Sequence, residues 1–427
     1  MNPNNPITAV IVGAGHRSLI YASYAQTHPD QLQIVGVVDP DPIRRKLTAK
    51  QFDLQDTNCF ESVEQLVSKP KIADAVINGT MDDQHVETTI PLLQAGYDVL
   101  LEKPIATSEE SMLKLYQVAK ENKRTVMICH VLRYAPFYKA IREVVATGRI
   151  GEIINVQAAE HVSYHHMAVA YIRGKWNSME TCKSSMLMSK CCHDLDVISW
   201  MIGEQPSKVS SFGSLMHFKP EKAPEGAGFR CLVDCKIEET CAYSARKHYI
   251  DQRRWGIYVW DNNHLGVTPT EEEKLDILKT SSPYGRCVWH CDNDVVDHQS
   301  VVMEFENGCT ATHNMIGATS RPCRNIHIIG TKGEIQGVLE DGYFVVRHPD
   351  ATVGHEYSEE RVAVIVTNDS HGGGDLLLVE DFIKVLQGET PSISSTSLEK
   401  SIHGHQIGFA AEHSRLENKT KVISAIF

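Results

Sequence analysis

The feature that most constrains this chain lies in its first forty residues. Ile7-Thr8-Ala9-Val10-Ile11-Val12 is an apolar, β-branched run that reads as a buried strand. Gly13-Ala14-Gly15-His16-Arg17-Ser18 follows at once, and an amphipathic stretch from about Ser18 to Gln26 stops before Pro29. Leu32 to Val38 is a second β-branched run, and it ends in Asp39. Strand, glycine turn, helix, strand and terminal acid is the order that cradles a dinucleotide. Gly13 permits the tight turn. Gly15 lets backbone approach a pyrophosphate at the helix N-terminus, which His16, Arg17 and Ser18 open. Asp39, 21 residues beyond Ser18, can accept the ribose hydroxyls of NAD and would repel a 2′-phosphate, so NAD is favoured over NADP. Arg44 and Arg45 stand close enough to blunt that preference.

The alternation continues. Ala73 to Gly79 reads as a strand, His85 to Ala95 as a helix closed by Gly96, and Asp98 to Glu102 as a strand followed by Lys103-Pro104. Thr107-Ser108-Glu109-Glu110 has the spacing of a capping box before a helix to about Asn122, and Thr125 to Val131 supplies a sixth strand. Short connections between alternating elements imply a parallel, doubly wound sheet. Ligands of such sheets lie at the carboxyl ends of strands, which places Asp39, Thr80, Asp83, His85, Glu102 and Lys103 towards the cofactor, with Arg133 nearby.

The 427 residues exceed one core and suit two or three units at roughly 150 residues each. A formal charge of −12 disfavours phosphate-backbone binding, so no nucleic-acid partner is expected. The first residues lack a basic segment, and no run approaches the roughly 20 apolar residues of a spanning helix. The expectation is a soluble, cytoplasmic protein with no membrane partner. Its twelve cysteines then read as thiols or metal ligands rather than as a disulfide framework.

Glu102-Lys103-Pro104 after a strand, downstream of the glycine turn and Asp39, resembles the Gfo/Idh/MocA family. Ala95 to Pro104, Gly148 to Ile153, Cys192 to Asp196 and Gly330 to Ile335 support that resemblance in order and spacing. The resemblance implies a Rossmann domain (1–130) and a C-terminal α/β domain (131–427) with a large, mostly antiparallel open sheet. Homo-oligomerisation is expected from open sheet edges. It also implies nicotinamide-dependent hydride transfer at a secondary alcohol of a sugar or cyclitol. Gly151 to Val162 and Val209 to Phe212 read as strands of that sheet, with Ser185 to Ile202 as a helix between them. Ser300 to Phe305, Cys309 to Met315, Asn325 to Ile329 and Tyr343 to Arg347 continue the sheet. Asp375 to Leu386 and Lys400 to Ser414 read as closing helices. Residues 218–298 read as an insertion or long loops.

Oxidising a secondary alcohol needs a base, a cationic donor for the alkoxide and an oriented nicotinamide. Lys103 ends a strand in the right place. Ser189, His193 and Asp196 share one helix face, so Asp196 is expected to hold the His193 imidazole. Where family members such as inositol dehydrogenase carry an acid four residues before that histidine, this chain has Ser189, and Lys190 adds a cation. Arg133 and Tyr134, His165, Arg173, Trp176 and His371 are further candidates for the substrate pocket. Cys231, Cys235, Cys241, Cys287 and Cys291 raise the question of a structural zinc, although their spacing lacks the paired Cys-x2-Cys signature.

Three readings follow. The first is an NAD-dependent oxidoreductase acting at a ring hydroxyl of a sugar, sugar derivative or glycoside. The second is a redox-neutral glycosidase that oxidises C3 transiently, eliminates the aglycone, adds water and returns the hydride. The third is a catalytically silent NAD-binding regulator.

Overall fold

The computed structural model describes residues 5–260, 269–367 and 371–426. Residues 261–268 of the expected insertion lie outside the described residues. The N-terminal part of the chain builds one parallel sheet from β1 (Ile7–Val12), β2 (Leu32–Val38), β3 (Cys59–Phe60), β4 (Ala75–Asn78), β5 (Asp98–Leu101) and β6 (Val126–Ile128). Their order is β3-β2-β1-β4-β5-β6. The chain reverses direction across the sheet between β1 and β4, and this opens a crevice at the strands' carboxyl ends. β1 is buried nearly throughout because both sheet faces are covered, so its sequence is continuously apolar rather than alternating. The helix Glu109–Asn122 starts one residue later than the capping box implied: Ser108 is the N-cap, and its Oγ accepts from Ser111 N at 3.2 Å.

The second sheet has nine strands: β7 (Ile153–Ser163), β8 (Pro206–Ser214), β9 (His298–Phe305), β10 (Thr310–Thr319), β11 (Cys323–Gly330), β12 (Glu334–Val338), β13 (Tyr343–Pro349), β14 (Tyr357–Ala363) and β15 (Lys421–Val422). In the order β14-β13-β12-β11-β7-β10-β9-β8-β15 every pairing is antiparallel except β7 with β10. Residues on β9 and β10 alternate between buried and more exposed, the mark of a sheet covered on one face. The helix Met186–Ile202, capped by the Ser185 side chain and ended by left-handed Gly203, packs on the covered face.

The last helices bind the two sheets together. Leu378, Val379, Phe382 and Ile383 of the helix Gly374–Leu386 pack with Ile7, Ala9 and Tyr21 of the first unit. Leu398, Ile402 and Phe409 of the helix Leu398–Glu417 join the core beneath β5 and β6.

Candidate active site

At the cofactor end the structure needs its glycines for different reasons. Gly13 has φ +74°, and a Cβ there would meet Gly79 O and Thr80 N at 2.9 Å. Gly15 is the N-cap of the helix His16–Ala22, and a Cβ on it would meet nothing within 4 Å. Its small size therefore serves an approaching group, as a pyrophosphate requires. Ser18, the third fingerprint position, is buried beneath β4's end, where a Cβ on Gly79 would lie 2.2 Å from Ser18 Oγ. Asp39 closes β2; its Oδ2 accepts from Ala14 N and its Oδ1 from Asp41 N, both at 2.8 Å. Arg44 Nε lies 3.3 Å from each Asp39 oxygen, and Arg45 turns to the Asp39 carbonyl and Glu61. A glycine turn, an open helix N-terminus and a carboxylate at β2's end fit NAD.

Three expected cofactor contacts have other duties. His85 is fully buried, with its ring nitrogens 2.6 Å from Pro104 O and 3.1 Å from Thr80 O. It tethers the two turns that carry Thr80 and Lys103, while Thr80 Oγ1 donates to Asn78 Oδ1 at 3.0 Å. Asp83 is exposed, and its neighbour Asp82 is the buried acid near Lys103. Glu102 accepts from Arg17 Nε at 3.1 Å and from Lys103 N at 2.9 Å, and Arg17 also pairs with Asp375.

At the reaction end, Lys103 Nζ donates to the Ser189 carbonyl at 2.7 Å. The missing side-chain acid is thus replaced by a backbone oxygen, while Ser189 Oγ donates within its own helix to Met186 O. Burial opposes the Lys103 charge, but Cys192, Glu102 and Asp82 outweigh it and raise the pKa. Burial pushes the Cys192 thiol up to about 12, so it is a neutral thiol at neutral pH. Lys103 is therefore a cation suited to donate a proton or steady an alkoxide.

His193 is buried, and its Nδ1 has no hydrogen-bond partner among the described residues. Burial and then the Lys103 charge hold its pKa well below the ordinary value, leaving a neutral imidazole. Asp196 does not orient it. Arg133 Nε and Nη2 grip the Asp196 carboxylate at 2.7 and 2.6 Å, while the same guanidinium donates to Ser395 O and Lys400 O. Helical spacing placed Asp196 on the expected face, but a buried cation from outside the helix took it. Arg133 is thereby a buried clamp rather than a pocket donor, and Tyr134 likewise donates to Asp381 at 2.7 Å. Arg173 is also buried, held by Arg286 O, Tyr243 O, Tyr249 OH and Cys231 Sγ. Lys190 pairs with Glu160 at 3.0 Å, and Arg324 lies between Glu160 (2.8 Å) and Asp194 (2.9 Å).

His371 has the carboxylate partner that His193 lacks. Its Nδ1 lies 3.2 Å from Asp375 Oδ2, and its ring centroid is 5.4 Å from that of His193. Burial works against the Asp375 charge, yet its bond to His371 and the Arg17 guanidinium hold the carboxyl well below the usual range.

The insertion is part of the cleft. Trp255 Nε1 donates to His165 Nδ1 at 3.1 Å, and its indole stacks on His166 at 4.6 Å. Tyr258 sits 5.6 Å from Trp255 and 6.2 Å from Trp176. Lys175 lies over Trp176 at 4.5 Å, with Nζ 3.6 Å from Met81 Sδ beside the Thr80 turn. Burial raises the Tyr258 pKa and the Lys103 charge lowers it most, so phenol and ammonium sense each other. Burial, then Arg254, lowers His165 to about 4, so its ring is neutral too. Nothing in the sequence spacing marks Trp255 or Tyr258, because their partners are distant in the chain.

The five insertion cysteines are free thiols, and Arg173 Nη2 donates to Cys231 Sγ at 3.4 Å. A guanidinium against a thiol opposes a cation at that spot. Among the described residues the one trio converging within 4.8 Å is Cys191, Asp194 and His313, beside Arg324.

Comparisons with known proteins agree with this fold. The family model described as an oxidoreductase family NAD-binding Rossmann fold matches residues 7–130. Its companion, the C-terminal alpha/beta domain, matches residues 142–422. YteT of Bacillus subtilis (strain 168), named as an oxidoreductase, is 27% identical over 365 residues, 82% of this chain and 81% of its own. The 2,7-anhydro-N-acetylneuraminate hydratase of Escherichia coli (strain K12) is 29% identical over 273 residues, 64% of this chain and 68% of its own. Among solved structures, levoglucosan dehydrogenase with NADH and levoglucosan superposes with a TM-score of 0.71 at 15% identity, covering 99% of this chain and 100% of that one. The WlbA dehydrogenase of Chromobacterium violaceum, with NADH and UDP-GlcNAcA, gives 0.67 at 17% identity, covering 99% and 97%.

Proposed function

The chain belongs to the Gfo/Idh/MocA oxidoreductase family and binds NAD, and from that premise we propose that it transfers hydride at a secondary ring hydroxyl of a sugar, sugar derivative or glycoside. The observation that carries this reading is the Lys103 ammonium, held at β5's carboxyl end by Ser189 O and neighboured by neutral imidazoles. NAD, when bound, supplies the hydride acceptor. Lys103 steadies the developing alkoxide, and a neutral histidine of the cleft takes the hydroxyl proton. The half-exposed rings of Trp176, Trp255 and Tyr258 offer flat apolar faces to the C–H surface of a sugar. The Asp39 carboxylate supports NAD over NADP.

A second reading is favoured by one relative, the hydratase, whose name denotes addition of water to a sugar. On that reading the hydride is returned after elimination, and the enzyme consumes no NAD. Chromogenic glycosides, followed for aglycone and for reduced-nicotinamide absorbance together, separate the two. NADH accumulating with the glycosidic bond intact is the expected result. Aglycone release without net NADH would replace it with the redox-neutral reaction.

A further inference from the structure

We propose that His371, held by Asp375, is the base of the hydride-transfer reaction, and that Arg17 links this pair to the cofactor end. The inference rests on the reading of the reaction given above. A histidine takes a proton well when its far N–H is fixed by a carboxylate, because the tautomer is then set and the imidazolium is stabilised on formation.

Among the described residues, His371 is the one of the histidines gathered here with a carboxylate at hydrogen-bond distance. His130 Nε2 is 3.8 Å from Asp196 Oδ1, too far for a hydrogen bond, and that carboxylate is gripped by Arg133. His193 Nδ1 is buried without a partner. His405 Nε2 accepts from Ile105 N at 2.8 Å, which commits it to the Pro104 turn. Asp375 lies in the first turn of the helix Gly374–Leu386, where the helix dipole also favours its charge. Its other partner, Arg17, comes from the helix that follows the glycine turn and also binds Glu102 beside Lys103. One guanidinium thus spans the dinucleotide turn, the Lys103 strand and the His371 pair.

The step balances. The carbinol C–H bond breaks with its electron pair leaving as hydride to NAD, the O–H proton goes to His371, and the products are a ketone, NADH and an imidazolium. That imidazolium then loses its proton to solvent. The charged and titratable groups facing His371 are Asp375 from the helix that follows its turn, Arg17 from the helix after β1, His193 from Met186–Ile202, Arg324 from β11 and His166 after β7. Burial lowers the imidazole pKa on balance, Asp375 opposes that shift, and Arg17 and Arg324 add to it.

The test uses the NAD-loaded full chain with myo-inositol, levoglucosan and 4-nitrophenyl glycosides as probes. His371→Gln is expected to lower kcat by about 10²–10⁴ while KM changes little and NADH still quenches protein fluorescence. Asp375→Asn, a positioning change, is expected to lower kcat and to move the acid limb of the kcat profile to lower pH, because removing the anion lowers the pKa of the base. Asp375→Glu restores part of both, and His193→Gln leaves the acid limb in place. In 15N-histidine-labelled wild-type protein the pair gives a low-field N–H proton, which Asp375→Asn removes. A wild-type kcat in His371→Gln, an unmoved acid limb in Asp375→Asn, or no low-field proton would each overturn the assignment. No NADH from any probe, with the low-field proton present, would instead remove the hydride-transfer reading on which the base role depends.

Discussion

Arg133 is a buried cation and Lys103 a part-buried one near the crevice, and their partners separate their roles. Arg133 meets a carboxylate bidentately, so it holds the fold. Removing it as Arg133→Met leaves Asp196 buried and unpaired, and the expected loss is about 3–5 kcal/mol in chemical denaturation. A change in KM without loss of stability would instead return Arg133 to the substrate pocket. Lys103 meets a single carbonyl and keeps donors for a ligand. Lys103→Met is expected to slow turnover by about 10²–10⁴ with NADH affinity near that of the parent, read by stopped-time assay and fluorescence titration. Burial lowers its pKa, but Cys192, Glu102 and Asp82 raise it on balance, so the basic limb of the rate profile should lie above the ordinary lysine range rather than near neutrality. The sequence marked Lys103, His193 and His371 because residue type and strand-end position are local. It misassigned Asp196 because a shared helix face says nothing of a competing cation 63 residues away.

At the scale of elements, boundaries written in local chemistry were legible. The Ser185 cap and Gly203 stop of the central helix stand where their backbone needs place them. The Thr107 cap moved to Ser108 because adjacent hydroxyl residues offer the same chemistry and packing chooses between them. How helices approach one another was not legible. Gly404, in Leu398–Glu417, lets that helix touch Met186–Ile202: a Cβ would lie 2.9 Å from Asp196 Cα and 3.0 Å from Asp196 N. Backbone cannot yield there as a side chain would. Gly404→Ala is expected to cost about 1–3 kcal/mol, measured by denaturant midpoint, with the far-UV spectrum retained. An unchanged midpoint would mean the two helices separate freely.

Across the whole molecule, the second sheet buries one face against helices and leaves the other open. Phe212, Ile154 and Val302 are exposed on its strands, at 70%, 52% and 49%. A concavity of about 650 Å³ on the sheet is lined by Asn314, His327, Gln336, Tyr343 and Arg347 among others. Such a face suits a second copy of the chain. Size-exclusion chromatography with light scattering is expected to give a multiple of 47.7 kDa; the monomer mass at micromolar concentration would contradict it. Among the described residues no helix is long and apolar enough to cross a membrane.

The family resemblance implied the mostly antiparallel second sheet, whereas the sequence by itself determined the doubly wound first unit, the glycine turn and terminal acid of the NAD fingerprint, and the strand-end lysine. Each depends on periodicity, glycine conformation or caps, which are properties of neighbours in the chain. Tertiary structure decided which acid serves which base, which arginines are clamps, and that Tyr258 comes near Lys103 with Trp255 beside it. Those outcomes follow from burial, where each charge must find a partner wherever the fold brings one. No spacing along the chain records that meeting.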